Sequence, residues 1–483
     1  MLISQKWLTS LLNNAGNPGW SVSAEELDAG FVRVGFETEG YEPLPETTGP
    51  LVIGRVEEIE ELTEFRKPIR YCQVNVGKAN GSGELQGIIC GARNFKEGDY
   101  VVVSLPGAVL PGGFEIAARE TYGHISNGMM ASEAELGFTS KSDGIITLPE
   151  GVGELGQDAR EVLGGPDTIF EVNITPDRGY ALSARGLGRE VASAFDLEYK
   201  DMAEDPAIAG IDVSGVPAPK GDLIPITLEE STKAQRFGLR KVEGIDPTAQ
   251  APFWMKRVLM LAGVRTVNAA TDVTNYVMLL LGQPMHAFDA DKVAGGLRVH
   301  NAQGGEEFET LDHTKRTLTP GDVVISDDNG IQSLAAIMGG TTSEISDDTT
   351  NVYFEAASWD ALTVARSARH HKLSSEASRR FERGVDPTII EVALDMACAL
   401  LVEIAGGTIS DKRTLVEGAA QNRESINLRV AHPSELIGVE YSKETVIKRL
   451  QEVGCDIADN GDVLVVTPPT WRTDLNEPVE LIE

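Results

Sequence analysis

Only four cysteines occur in 483 residues, Cys72, Cys90, Cys398 and Cys455, far apart and among apolar neighbours. No CxxC pair is present, which argues against a zinc site of that spacing and against a disulfide framework, and favours a reducing compartment. Long apolar runs are missing too: none approaches the roughly 18 residues needed to cross a bilayer. The opening MLISQKWLTSLLNN has neither a basic region nor a small-residue cleavage site, so the chain reads as soluble, unexported and cytoplasmic. There is no GxSxG for a serine nucleophile elbow and no Walker loop for a nucleotide. The histidines at His370 and His371 are adjacent rather than spaced as metal ligands on one helix face. Positive charge is scarce. With 42 Lys and Arg against 74 Asp and Glu, the net charge is -32, which disfavours indiscriminate nucleic-acid binding and leaves room only for a local basic patch.

What is present points to several cores, since domains average roughly 150 residues. Fifty Gly, 23 Pro and 41% hydrophobic residues fit a folded, turn-rich chain with much strand. The start reads as a helix from Gln5 to Asn13 and a second from Ser23, where Ser23 caps and Glu25 and Glu26 suit the positive end of the helix dipole. From Pro50 to about Glu150 the runs LVIGRVEEI, YCQVNVG, LQGIICG and DYVVVSLPG, punctuated by Gly, Asn and Pro, suggest a small β-barrel. A Pro-, Gly- and Asp-rich stretch from Ala203 to Pro225 reads as a linker. Strand-like and helical runs then mix from Ile226 to about Gly407, as in an α/β fold. A second polar linker, Ser410 to Glu424, leads to a compact unit. In it Ser442 caps a helix with Val446, Ile447, Leu450 and Val453 on one face, and Asn460-Gly461 turns a hairpin. Such a unit is either a nucleic-acid-binding wing or a packing domain that touches only protein.

Chemistry concentrates in the central region. In TDVTNYVMLLLGQPMHAFD an apolar stretch is bracketed by Asp272, Thr274 and Asn275 before it and His286 and Asp289 after it. One reading is a buried helix with capped ends; the other is polar groups at the mouth of a dry pocket. Glu355 lies alone in the apolar string VYFEAASW, where a carboxylate is costly without a partner or a role. SSEASRRFERGVDP follows. Between Arg366 and Arg383 six Lys or Arg face two Glu, which makes either an RNA-facing patch or a solvated helix paired with neighbouring acids.

Together these strings resemble the editing region of the beta subunit of bacterial phenylalanyl-tRNA synthetase. Near the start, ISQKWLTSLL and VGFETEGYEPL resemble that subunit's opening. IICGARN, LPGAVLPGGFEI and SNGMMASEAELG resemble its inserted tRNA-binding-type domain, and FEVNITPDRGYALSARGLGREVA the segment after it. The resemblance implies a multidomain α+β chain. Residues 1–42 with 151–200 form a helical first lobe (B1-like), and 43–150 form an inserted OB-fold barrel. Residues 201–225 are a linker, and 226–408 are an α/β editing domain of the B3/B4 kind. A second linker at 409–424 precedes a helix-plus-hairpin B5-like domain at 425–483. The family's chain continues into a synthetase-like but catalytically dead domain and an RNA-binding domain, so the expectation is a fragment lacking roughly two-fifths of the usual length.

The implied function is that of a beta subunit in phenylalanine–tRNA ligase, charging tRNA(Phe) together with an alpha subunit as a heterotetramer of two alpha and two beta chains, with ATP used by the alpha subunit. This chain would supply hydrolysis of mischarged tyrosyl-tRNA(Phe). A hydrophobic pocket rejects an added hydroxyl only about a hundredfold, so a second site that selects for the hydroxyl is needed. The resemblance gives Glu355 that role, as an ionised carboxylate whose bond to the phenol is worth roughly 1.5 to 3 kcal/mol. It places His286, Thr274 and Asn275 around the ester, and Ser375, Ala377 and Ala336 around the amino acid. His286 either orients water or ribose or acts as base. Ser375 stands where the family often has Thr, and Ala336 where it commonly has Gly. Asp474, Glu480 and Glu483 resemble part of a magnesium site that would be incomplete here, against the plainer reading of acids at a helix start. The contrasting function is a non-catalytic tRNA-binding or assembly scaffold.

Overall fold

The computed structural model describes residues 1–419 and 424–483. The chain opens with strand β1 (Leu2–Ser4) and helix α1 (Gln5–Asn14). Ser4 Oγ caps α1 by accepting from Trp7 N, and Leu8, Leu11 and Leu12 fall on its buried face. Helix α2 (Ala24–Arg33) begins in a reciprocal cap: Ser23 Oγ accepts from Glu26 N, while the Glu26 carboxylate accepts from Ser23 N. Strand β2 (Glu37–Pro43) then leads out of this lobe.

The barrel follows. Strands β3 (Leu51–Leu62), β4 (Ile69–Asn75), β5 (Gln86–Cys90) and β6 (Tyr100–Ser104) precede a small hairpin, β7 (Arg119–Thr121) and β8 (His124–Ser126), and then β9 (Met129–Met130) and β10 (Thr147–Leu148). Their order is β10-β6-β3-β4-β5, with β9 on β6. The long β3 pairs on both sides and bends at a bulge between Val56 and Glu58, which lets the sheet curl. Asn127 N donates to Gly87 O, bringing β5 beside the start of β9 and nearly closing the barrel. After the short helix α3 (Ala159–Val162), strand β11 (Thr168–Asn173) returns between β1 and β2, with Thr168 opposite Pro43. The first lobe, expected to be helical, therefore contains a three-stranded sheet, closed by helix α4 (Ala184–Ala194). Strand β1, three residues long, is too short to show a period and pairs with β11 more than 160 residues on.

The expected linker at 201–225 is only half a linker. Met202, Ile208 and Ile211 are buried in the core of the first lobe, and Asp201 is buried against Arg185 and Arg189. No helix or strand intervenes from Asp212 until β12 (Ile226–Leu228).

The central domain contains β13 (Arg236–Glu243), α5 (Phe253–Leu261), α6 (Ala269–Leu281), β14 (Met285–Asp289), β15 (Leu297–Asn301), the pair β16 (Glu307–Glu309) and β17 (Lys315–Thr317), β18 (Val323–Asp327), β19 (Gly330–Leu334), β20 (Met338–Gly339), β21 (Asn351–Ser358), α7 (Ala361–His370), α8 (Glu376–Phe381), α9 (Ile390–Ala405) and β22 (Thr408–Glu417). One sheet runs β14-β21-β13-β22 and is antiparallel; the second runs β12-β15-β18-β19-β20. Strand alternation separates two cores. Phe237, Leu239, Phe288, Tyr353 and Ala357 join the cluster of the second sheet, whereas Val242, Ala287, Val352, Phe354 and Ala356 join that of α6 and α9. Gly238 permits the close approach of α9, since a Cβ there would lie 2.8 Å from Ile390 and Leu394. The expected second linker, 409–424, is largely β22: as an edge strand it buries only Thr414, so its charges leave no alternating pattern. The remainder of that linker includes 420–423, outside the described residues.

The last unit comprises β23 (Ile426–Arg429), α10 (His432–Ile437), α11 (Lys443–Glu452), the hairpin β24 (Asp456–Asp459) and β25 (Val463–Thr467), and α12 (Pro478–Ile482). Ser442 caps α11, and Gly461 turns the hairpin at φ +81°. A buried ionic node docks this unit. Arg185 binds Asp201 at 2.7 Å and Asp386 at 2.9 Å, and the Trp471 ring lies 4.1 Å from the Arg189 guanidinium.

Candidate functional site

Strands β14 and β21 pair so that His286 stands directly opposite Glu355. Residues opposite one another in an antiparallel pair project from the same face, with Cα atoms about 4.5 to 5.5 Å apart. That face is the one turned towards the second sheet, where the Phe288 ring sits 4.4 Å from the His286 ring at 88°. On the opposing side lies Gly339 of β20, where a Cβ would come within 2.6 Å of His286 Nε2. The imidazole therefore rests against bare backbone.

Glu355 is buried and His286 half-buried. Glu355 Oε2 and His286 Nε2 are each buried without a hydrogen-bond partner, an arrangement that costs roughly 1 to 3 kcal/mol per group and calls for an explanation. Burial pushes the Glu355 carboxyl up from 4.5 to about 8 and the His286 imidazole down to about 4. At neutral pH the imidazole is thus neutral and retains a basic nitrogen. The carboxyl, expected as an ionised acceptor, is instead largely a neutral acid, because among the described residues no cation or hydrogen-bond donor offsets its desolvation.

The residues expected around the amino acid cluster nearby. Ala336, between β19 and β20, has φ +64°. That left-handed conformation disfavours a side chain by roughly 1 to 2 kcal/mol, which gives a backbone reason for the glycine expected there. Ser375 caps α8, accepting from Ser378 N at 3.0 Å, and donates its hydroxyl to Ile337 O at 2.9 Å, tying α8 to the turn that carries Ala336. Ala377, in the first turn of α8, packs at the border of the same cluster as Ala336 and Met338.

Thr274 and Asn275 are placed differently. Both lie within α6, which packs beside β14; the Thr274 hydroxyl donates to Thr271 O at 2.8 Å. Neither hydrogen-bonds to His286 or Glu355 among the described residues. The basic window is partly inward: Arg380 is fully buried and reaches Leu182 O and Glu376, and Arg383 donates to Ile174 O. Its His371 is structural, with Nε2 2.9 Å from Asp322.

The three carboxylates expected to hold magnesium do not converge. Asp474 is gripped by Arg472 at 2.6 Å, and Glu480 accepts from the Asn476 and Glu477 amides at the start of α12. Among the described residues no three His, Cys, Asp or Glu side chains form a group fit for a metal ion.

Phe288 and Gly339 do not stand out in the sequence, although each leaves a signal there. Phe288 is two residues from His286, hence on the same strand face, and Gly339 belongs to the Gly339–Gly340 pair closing LAAIMGG.

Three family models match in order along the chain: "Putative tRNA binding domain" over 51–157, "B3/4 domain" over 233–406 and "tRNA synthetase B5 domain" over 426–483. The curated relatives are named phenylalanine–tRNA ligase beta subunit. Those of Corynebacterium glutamicum, Nocardia farcinica and Thermobifida fusca are 69%, 52% and 49% identical over 100%, 100% and 95% of this chain. The matches cover 58%, 57% and 54% of those proteins, so the chain spans somewhat more than half their length. The crystal structure of an N-terminal fragment of the phenylalanyl-tRNA synthetase beta subunit from Pyrococcus horikoshii is 12% identical, with a TM-score of 0.37 over 100% of this chain and 97% of that one; at that score the likeness bears no weight here. With its three matched domains and 69% identity along its length, the chain is a homologue of the phenylalanyl-tRNA synthetase beta subunit over the part of that subunit it spans.

Proposed function

We propose that the central domain hydrolyses tyrosine from mischarged tRNA(Phe), and that the chain does so as part of a phenylalanine–tRNA ligase beta subunit. The observation that carries this reading is the facing pair His286 and Glu355, each with one buried and unmet polar atom. A phenol hydroxyl entering beside Glu355 supplies the missing partner for Oε2. Phenylalanine in the same position leaves that atom unpaired, at a cost of roughly 1 to 3 kcal/mol, or about 5- to 150-fold in selectivity. The neutral His286 ring offers its nitrogen across the strand pair, either to accept a proton from the attacking water or to orient the water or the terminal ribose. Gly339 and Phe288 hold the ring in place, while Ser375 and Ala377 on α8 and the turn at Ala336 enclose the amino acid. Thr274 and Asn275, on α6, belong to the opposite face of the same sheet and take no part in this step as the chain stands.

The rest of the proposal extends the family membership to this chain. The barrel contacts tRNA, and ATP-dependent charging of tRNA(Phe) takes place with an alpha subunit in a complex of two alpha and two beta chains. Magnesium at Asp474, Glu480 and Glu483 would require Asp474 to leave Arg472 and Glu480 to leave its cap. As these residues stand they do not fit an ion.

The test is deacylation of tyrosyl-tRNA(Phe) by the purified chain. Wild type should outpace buffer, His286→Ala should lose the rate, and Glu355→Ala should lose the preference for tyrosyl over phenylalanyl ester. Hydrolysis at the buffer rate by all three would leave a binding or assembly scaffold as the function.

A further inference from the structure

Helix α8 supplies one wall of the candidate amino-acid pocket, yet part of what fixes its place lies in another domain. Ala377 and Phe381, four residues apart, share a stripe of the helix that joins the cluster of the second sheet, with Ala336 and Met338. At the start of the helix Ser375 is tied to Ile337 O. The adjoining stripe carries Glu376 and Arg380 and meets the first lobe. Arg380 is 1% exposed. Its Nε donates to Leu182 O at 3.0 Å, and its Nη1 donates to Glu376 O at 2.9 Å and to the Glu376 carboxylate at 2.7 Å. Leu182 belongs to the core of the first lobe and directly precedes Ser183, the cap of α4. One planar guanidinium thus joins the two domains and, through the fixed directions of its N–H groups, sets the rotation of α8 about its own axis.

Just beyond the helix the backbone is held from the same side. Arg383 Nη1 donates to Ile174 O at 2.6 Å. Gly179 of the first lobe lies bare against this residue, since a Cβ there would come 2.6 Å from Arg383 Cβ and 2.7 Å from its carbonyl oxygen. From the last unit, Thr473 Oγ1 donates to Arg383 O at 3.2 Å. The buried cation itself is poorly compensated. Its carboxylate partner, the Glu376 side chain, is 49% exposed and therefore screened by water. Desolvating a guanidinium for such a partner adds little to stability, and an apolar side chain of similar length would fill the space at lower cost. What the apolar replacement would lack is direction: it would let α8 turn and slide against the first lobe.

We propose that Arg380 is a positioning residue for the ester hydrolysis: it holds α8 against the first lobe so that Ser375 and Ala377 keep a bound tyrosine directed at Glu355. The inference rests on the reading of the central domain as a tyrosyl-ester hydrolase and adds that the first lobe sets one wall of its pocket. Among the described residues Arg380 donates to neither Glu355 nor His286, so its effect passes through α8. The experiment compares deacylation of tyrosyl- and phenylalanyl-tRNA(Phe) by the full chain as wild type, Arg380→Met, Arg380→Lys and Gly179→Ala. Arg380→Met should lower kcat/KM about tenfold for the tyrosyl ester and less than about twofold for the phenylalanyl ester, which has no hydroxyl to set against Glu355. Arg380→Lys keeps the charge and one donor and should recover part of the lost preference. Gly179→Ala pushes on Arg383 from the first lobe and should lower the tyrosine preference in the same direction. A purely structural role would thin the folded population and slow both esters alike, leaving their ratio unchanged. An unchanged ratio in folded Arg380→Met overturns the proposal while tyrosyl-ester hydrolysis by wild type stands. Where circular dichroism shows Arg380→Met unfolded, an unchanged ratio in Gly179→Ala overturns it instead. Wild type at the buffer rate overturns the inference together with the reading it rests on.

Discussion

Replacing Glu355 by glutamine keeps the size and hydrogen-bonding reach of the side chain and removes its titration. In the folded chain the carboxyl is pushed from 4.5 to about 8 by burial alone. At about 1.4 kcal/mol per pH unit, carrying the ionised form inside costs of the order of 5 kcal/mol, a ceiling that local water entry would lower. The sign follows from proton counts. Between about pH 4.5 and 8 the folded chain keeps a proton that the unfolded chain has shed, so stability falls as pH rises across that window. His286 acts in the opposite sense. Its folded value is lowered from 6.5 to about 4, so stability falls as pH drops across that range. Urea unfolding followed by intrinsic fluorescence, from about pH 5 to 9, should show Glu355→Gln near wild type at the acid end and more stable by several kcal/mol at the alkaline end. His286→Gln should remove the loss on acidification. A wild-type-minus-Gln difference that stays flat with pH would mean that the Glu355 carboxyl is solvated in the folded chain, and the case for a dry recognition site would fail with it.

Gly339→Ala would place a methyl against the His286 ring, 2.6 Å from Nε2, and the ring must move. Deacylation should fall at least about tenfold while the thermal midpoint shifts little, as expected where a misplaced group costs rate more than stability. Arg185→Met would strand the buried Asp386 carboxylate without a cation and leave Asp201 with Arg189 alone. A loss of roughly 3 to 5 kcal/mol is expected in urea unfolding, and a change below about 1 kcal/mol would show that water already reaches the node.

The sequence makes individual residues conspicuous more readily than their companionship. Glu355 stands out as a carboxylate in an apolar strand, and His286 as a polar residue closing an apolar run. Their facing positions depend on the register of two strands whose pairing partners are 69 residues apart, and no local pattern encodes that register. Ser23 and Ser442 are legible as caps because capping is local. β1 and β22 are not: three residues cannot show a period, and an edge strand that buries one side chain has nothing to alternate. The protonation of Glu355 is hidden for a related reason. It depends on the absence of any cation nearby, which only the folded neighbourhood reveals.

Because Pro43 faces Thr168 across β2 and β11, and Leu44 N donates to Asp167 O at 2.8 Å, the barrel's entrance and exit lie side by side. A turn of two residues could join them and leave a hairpin in place of an entire domain. Yet Phe253 and Leu261 of α5 are covered by barrel side chains, Phe138 among them. Excision would close the backbone cleanly and leave a greasy scar on the neighbour, so what topology marks as a detachable cassette has become, through packing, a tenant its host cannot evict without aggregating.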